Sequence, residues 1–162
     1  MEKKEEILEK TVGHALSGEG AHAGSRNVFE GLDWKLAGTK PAGAPHSLFQ
    51  LLQHLTYWQD WVVKWLDGKT PPIPKHAAGS WSKAAGPASK EEWDGAVKSF
   101  LKGLDALESG ARGGDLLKER GKKSRLEMLQ AIASHNSYHL GQAVLLRQML
   151  GAWPPPSGGL TW

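Results

Sequence analysis

The stretch SLFQLLQHLTYWQDWVVKWLD, Ser47 to Asp67, decides the fold. Ser47 followed three residues later by Gln50 is a capping box, in which each side chain satisfies a backbone N–H left unpaired at a helix start. Gly68, Pro71 and Pro72 end the segment. At about 100° per residue, with His54 taken as zero, Leu51, Tyr57, Trp58, Trp61 and Trp65 fall within about 60° of it. Leu48, Leu52, Leu55, Val62 and Leu66 fill the adjoining arc, and polar Gln53, Thr56, Asp60, Lys64 and Asp67 take the remainder. A helix with so wide an apolar face must be covered by other helices. His54 sits at the margin of that face, in its aromatic half.

Three more amphipathic segments supply the cover. One starts near Lys3, carries Ile7, Leu8, Val12, Ala15 and Leu16 on one side, and stops at Ser17-Gly18-Glu19-Gly20. A second opens on the capping box Ser89-Lys90-Glu91-Glu92 and runs to about Glu108, with Trp93, Val97, Phe100, Leu104 and Leu107 inward. The last is capped by Ser124 and Glu127 and runs to about Leu150. Its inner stripe is Met128, Ile132, His135, His139, Gln142, Leu146 and Met149. A short helical piece is expected over residues 21–32 and a loop over 31–45. The long connection from Gly68 to Pro87 holds Ile73, His76 and Trp81 and is long enough to cross the bundle or cover its end. Ser109 to Lys123 reads as a loop or small hairpin. The fold expected is all-α, a four-helix bundle in one domain over residues 1–162, with long loops. The tail after Leu150, with three consecutive prolines and Trp153 and Trp162, packs back on the body or on a second subunit.

Composition narrows the function classes. The chain of 162 residues has 40% hydrophobic and 23% charged residues, within the soluble globular range. No apolar run approaches the ~20 residues of a membrane span, and the charged start lacks a signal-peptide core, so a cytoplasmic protein is expected. Having no cysteine removes disulfides, thiolate ligands and cysteine nucleophiles. The net charge of +3 comes from Lys and Arg scattered among acids, without the basic stripe of a nucleic-acid binder.

Histidine is where chemistry concentrates. His135 and His139, four residues apart, project from one helix face about 40° apart, a spacing at which two imidazoles converge on one ion. A lone histidine on an apolar face is most often a hydrogen-bonded core residue. Two on an inward face, with His54 on another buried face, need partners, and a metal satisfies all three. Three neutral nitrogens form a facial triad with positions left open for water. Asn136 stands where a zincin of that spacing has its glutamate, which excludes that protease mechanism. Two-metal carboxylate bundles need Glu-x-x-His motifs, and no Glu precedes His135 or His139 at that spacing. Gln142, one turn beyond His139, is a candidate contact to a ligand or to a histidine. Trp58 and Trp61 adjoin His54 and could wall a pocket, and His22 could face the site. His46 is expected to face solvent, and Tyr138 to lie off the histidine stripe.

With these residues in place, the chain resembles the DinB/YfiT-like metalloenzymes. The resemblance rests on Pro45–Leu55, on His135-Asn136-Ser137-Tyr138-His139-Leu140-Gly141-Gln142 with the ensuing 144–153 run, on Gly18–Ala23 and on the Pro-rich tail. It covers essentially the whole chain. It implies an up-down-down-up bundle, often a homodimer, holding one divalent ion, usually nickel or zinc, on His54, His135 and His139. It further implies a small-molecule substrate, in some relatives with a low-molecular-weight thiol, and carries no implication of DNA binding. The chain departs from the pattern at Gly24-Ser25-Arg26, where a bulkier, less basic run is expected. The function expected is a metal-dependent thiol S-transferase or hydrolase. The alternative is a non-catalytic metal-binding or structural stress-response bundle.

Overall fold

The computed structural model describes residues 2–112 and 114–159. Its helices are α1 (Glu2–Ser17), a single turn α2 (Trp34–Ala37), α3 (Leu48–Leu66), α4 (Lys90–Arg112) and α5 (Arg125–Met149). A 3-10 turn spans Ala77–Ser80, and β1 (Glu119–Arg120) pairs antiparallel with β2 (Lys123–Ser124) in a two-stranded hairpin. The four long helices form a bundle. α3 packs against α4 and α5, and α1 packs against the same two from the other side. Among the described residues no helix is long and apolar enough to cross a membrane.

The caps set the helix starts. At α3 and α5 both halves of the capping box form: Ser47 accepts from the Gln50 N–H and Ser124 from that of Glu127, while each N3 side chain accepts from the cap backbone. At α4 the arrangement is skewed. Ser89 accepts from the Glu92 N–H at 3.3 Å, but the Glu92 carboxylate reaches past it to the N–H of Ala88. At the other end of α3, Arg120 of the hairpin donates to the carbonyls of Trp65, in the last turn, and Lys69, just beyond it. The basic 118–125 run is thus partly a structural clamp.

Residues 21–32 are not helical, contrary to expectation; they form consecutive turns, and the helical turn lies later, at Trp34–Ala37. The reason is a buried cation. The Arg147 side chain, 2% exposed, donates to the carbonyls of Val28 (2.7 Å), Glu30 (3.0 Å) and Ala152 (2.8 Å), and its guanidinium lies over the Trp153 ring. The Val28 and Glu30 carbonyls are turned toward the arginine, and among the described residues neither accepts a helical N–H. Val28 and Phe29 still reach the core. Gly31, at φ +65, lets the turn run against Pro156, whose ring would lie 2.7 Å from any Cβ there. The tail therefore packs on the body through Trp153 and Pro156; Trp162 lies outside the described residues.

Two apolar clusters fill the bundle. One gathers Phe29, Phe49, Leu52, Phe100 and Leu140; the other gathers Val12, Leu16, Val62, Leu129 and Ile132. On α5, His135 and His139 fall between residues of the two clusters, and on α3 His54 lies among the last residues of the first, one turn before Trp58, which packs on the second. The histidines lie where the two cores meet.

Replacing Arg147 by Met keeps the volume but strands three carbonyls that held it. At about 1–3 kcal/mol for each unsatisfied buried group, offset by some water entry, a loss of about 3 kcal/mol is expected from urea midpoints.

Candidate metal centre

One ring nitrogen from each of His54, His135 and His139 lies within 4.8 Å of the others. His54 Nε2 and His135 Nε2 are 3.1 Å apart. Two nitrogens each about 2.0–2.1 Å from one ion stand roughly 2.9–3.4 Å apart at octahedral to tetrahedral angles, so this spacing suits joint ligation.

Two of the three rings are held from behind. His54 Nδ1 lies 3.2 Å from the carbonyl of Ser80. A carbonyl only accepts, so Nδ1 carries the proton and Nε2 presents a lone pair. His139 Nδ1 stands 2.8 Å from Gln142 Oε1, which fixes the same tautomer and leaves Nε2 free. Such outer hydrogen bonds are how metal-ligating histidines are oriented. His135 Nδ1 is buried with no partner among the described residues, so its ring is positioned by packing and by His54.

Electrostatics favour the ligating form. His54 is pushed down to about 4, chiefly by burial, with the nearby His139 and His46 opposing its charge and the Ser80 hydrogen bond favouring it. His135 is also pushed down to about 4, by burial and then by His139 and His54. Burial lowers His139 as well, against its bond to Gln142. Three neutral imidazoles whose protonation is suppressed, with two lone pairs already aimed inward, fit a divalent cation. The three residues together could hold a metal ion.

Around the triad the aromatic residues divide. Trp58 meets His54 edge-on at 6.5 Å and His135 at 6.3 Å, forming one wall. Trp61 stands one ring further out, packed on Trp58, and donates from Nε1 to the carbonyl of Pro72. Gln142 touches the site through His139. His22 is engaged elsewhere: Nδ1 donates to its neighbour Ala23 O and Nε2 accepts from Ser137 Oγ, each at 2.9 Å, so neither nitrogen is available to an ion. The ring of Tyr138, 66% exposed, lies 5.0 Å from that of His139.

The sequence reading missed the main wall. Trp81 stacks on His54 with centroids 3.9 Å apart and planes 7° apart, and His46 stacks on the other face of Trp81 at 3.6 Å and 9°. His46 is half-buried in that stack and does not simply face solvent. The loop delivering Trp81 is tied to α3: Gln50 Nε2 donates to Ser82 O, and Ser47 Oγ to Ala85 O. The length of the 68–87 connection was the available signal, but not which of its residues would dock.

The sequence profile of the DinB superfamily matches residues 19–143, more than three quarters of the chain and all three histidines. The chain belongs to the DinB superfamily. Neither the curated proteins nor the solved structures yielded a match. What this DinB chain shows beyond family membership therefore rests on its own geometry.

Two outcomes follow for the metal-free protein and its loading. An unfolded histidine titrates near 6.5, so between about 6.5 and about 4 the unfolded chain binds protons that folded His54 and His135 refuse. Stability is therefore full above that window and declines as pH falls through it, which urea midpoints at pH 7.5, 5.5 and 4.5 will show, with a shallower decline for His135→Phe. Gln142→Leu leaves the fold intact but frees the His139 ring, and metal affinity should fall about 10–100-fold in competition with a chromogenic chelator.

Proposed function

We propose that this DinB chain is a metal-dependent enzyme in which His54, His135 and His139 hold one divalent ion, nickel or zinc, for thiol S-transfer or hydrolysis of a small-molecule substrate. The observation that carries this reading is the ligand count. Structural zinc sites are closed by four protein ligands, whereas catalytic sites use three and keep a position open. Among the described residues the metal-competent cluster contains three histidines and no carboxylate. When bound, a divalent ion at such a site lowers the pKa of water toward ~7 or keeps a thiol as thiolate, giving a nucleophile at neutral pH.

The chain's own residues do the rest by positioning and exclusion. Ser80 O and Gln142 Oε1 hold two imidazoles in the ligating tautomer. Trp81 covers the face of His54, and Trp58 meets His54 and His135 edge-on, so both rings are shielded from bulk water. Exposed Tyr138, packed edge-on against His139, marks the side from which a substrate can approach. No cysteine exists in the chain, so a thiol in the reaction comes from a second substrate.

A non-catalytic role draws support from one feature. The three ligands and the Ser80 carbonyl belong to α3, α5 and the intervening loop, so an ion there would also staple those elements together.

Metal analysis after loading with zinc or nickel is expected to find one ion per chain, and none retained by His139→Ala. Loaded protein should turn over members of a panel of thiol–electrophile pairs or activated esters, and the variant should fall to background. Protein that binds neither metal sinks the proposal. One bound ion with a large rise in melting temperature, but no turnover anywhere in the panel, hands the site to the structural role.

A further inference from the structure

A concavity of about 320 Å3 opens beside the triad, between the 42–46 segment and the last turns of α5. Small-molecule sites begin at about 300 Å3 and are mostly apolar with a few placed polar groups. This one has that character. Leu51, Leu145, Met149 and Pro45 give it apolar walls, and its polar groups are His46 and Gln142. Leu145 and Met149 are 56% and 54% exposed, although they lie on or beside the inward stripe of α5. Among the described residues none fills the space they face.

Gln142 is in direct contact with the triad and His46 is linked to it through Trp81. Gln142 spends Oε1 on His139, which leaves its amide N–H groups as donors. His46 lies against Trp81, which lies against His54. An occupant of the cavity would thus touch Gln142, one contact from His139, and His46, two contacts from His54.

Charge narrows the occupant further. Among the described residues no Asp, Glu, Lys or Arg lines the walls. The cation at the rim is Lys40, whose ammonium stands 3.4 Å from the carbonyl of Pro45 and acts electrostatically on His46. A cavity of apolar walls, two neutral polar groups and a rim ammonium suits an apolar group carrying a negative charge and disfavours a cation. At about 30 Å3 per displaced water, it releases about ten waters, which corresponds to a molecule of single-ring size.

We infer that this cavity binds the apolar portion of the substrate, and that the substrate is a small alkyl or aryl compound bearing one anionic group. The inference rests on the catalytic reading above for the word substrate, but the binding itself does not. The reactive end reaches the triad past His46 and Gln142, while the apolar end lies against Leu51, Leu145 and Met149.

The probes are 4-phenylbutyrate and 4-phenylbutylamine, which share an apolar body and differ in charge, titrated calorimetrically into the full chain. The carboxylate should bind once per chain and at least tenfold tighter than the amine. Leu145→Glu and Met149→Glu, both at exposed positions, should each weaken it at least tenfold, while the melting temperature is unchanged and zinc affinity stays within a factor of two of the parent. Absence of saturable binding, equal binding of the amine, or binding unaffected by both variants overturns the assignment. Zinc affinity measured in the same samples separates the two proposals. An intact metal site without carboxylate binding defeats this one alone, and carboxylate binding by a chain that takes no metal defeats the catalytic reading alone.

Discussion

Three imidazoles brought together between two apolar cores constitute the constraint on which the rest of the architecture turns. Water cannot solvate them there, and protons are refused because each charge would repel the next and lose its hydration. Every neighbouring element answers this. The loop after α3 offers a backbone carbonyl to one ring, Gln142 offers an amide oxygen to another, and Trp81 covers the first with a flat apolar surface. One ring nitrogen of each is turned to the same small volume. A bundle stabilised by packing alone would place leucines at these positions, as it does at Leu51, Leu55, Leu129 and Leu140.

The peripheral clamps serve the same end. Arg147 pulls the 28–30 turn and the 152–153 tail onto the end of α5, while Arg120 and Arg125 close the opposite end of α3 through its last carbonyls. Each uses a fixed fork of donors to gather backbone groups from distant segments. With α3 and α5 tied at their ends, their middles, which carry the ligands, have little freedom to slide.

How much of this could be read from residues alone follows from the range of each interaction. Helix periodicity and capping are local, so α3 and α5 were legible nearly to the residue, and with them the inward face shared by His54, His135 and His139. The helical reading of 21–32 failed because Arg147 acts across 117 and 119 positions, and no local pattern announces a carbonyl lent to a distant guanidinium. Trp81 and His46 escaped for a similar reason. A loop tryptophan has no periodicity, and its docking depends on Ser47 and Gln50 receiving the chain 38 and 32 residues later. Gln142 was legible as a candidate, because one helical turn from His139 is a local relation.

One consequence of the His54 contact concerns how such a site drifts over time. The group that orients His54 is the main-chain oxygen of Ser80, not its side chain, which donates instead to Ala77 O. Substitution at position 80 leaves that oxygen in place, so the letter found there carries little information about the metal centre. Insertion or deletion between Gly68 and Ser89 is another matter, since it would move the oxygen and Trp81 together. Selection on this part of the site thus acts on the spacing of the chain and hardly at all on its spelling.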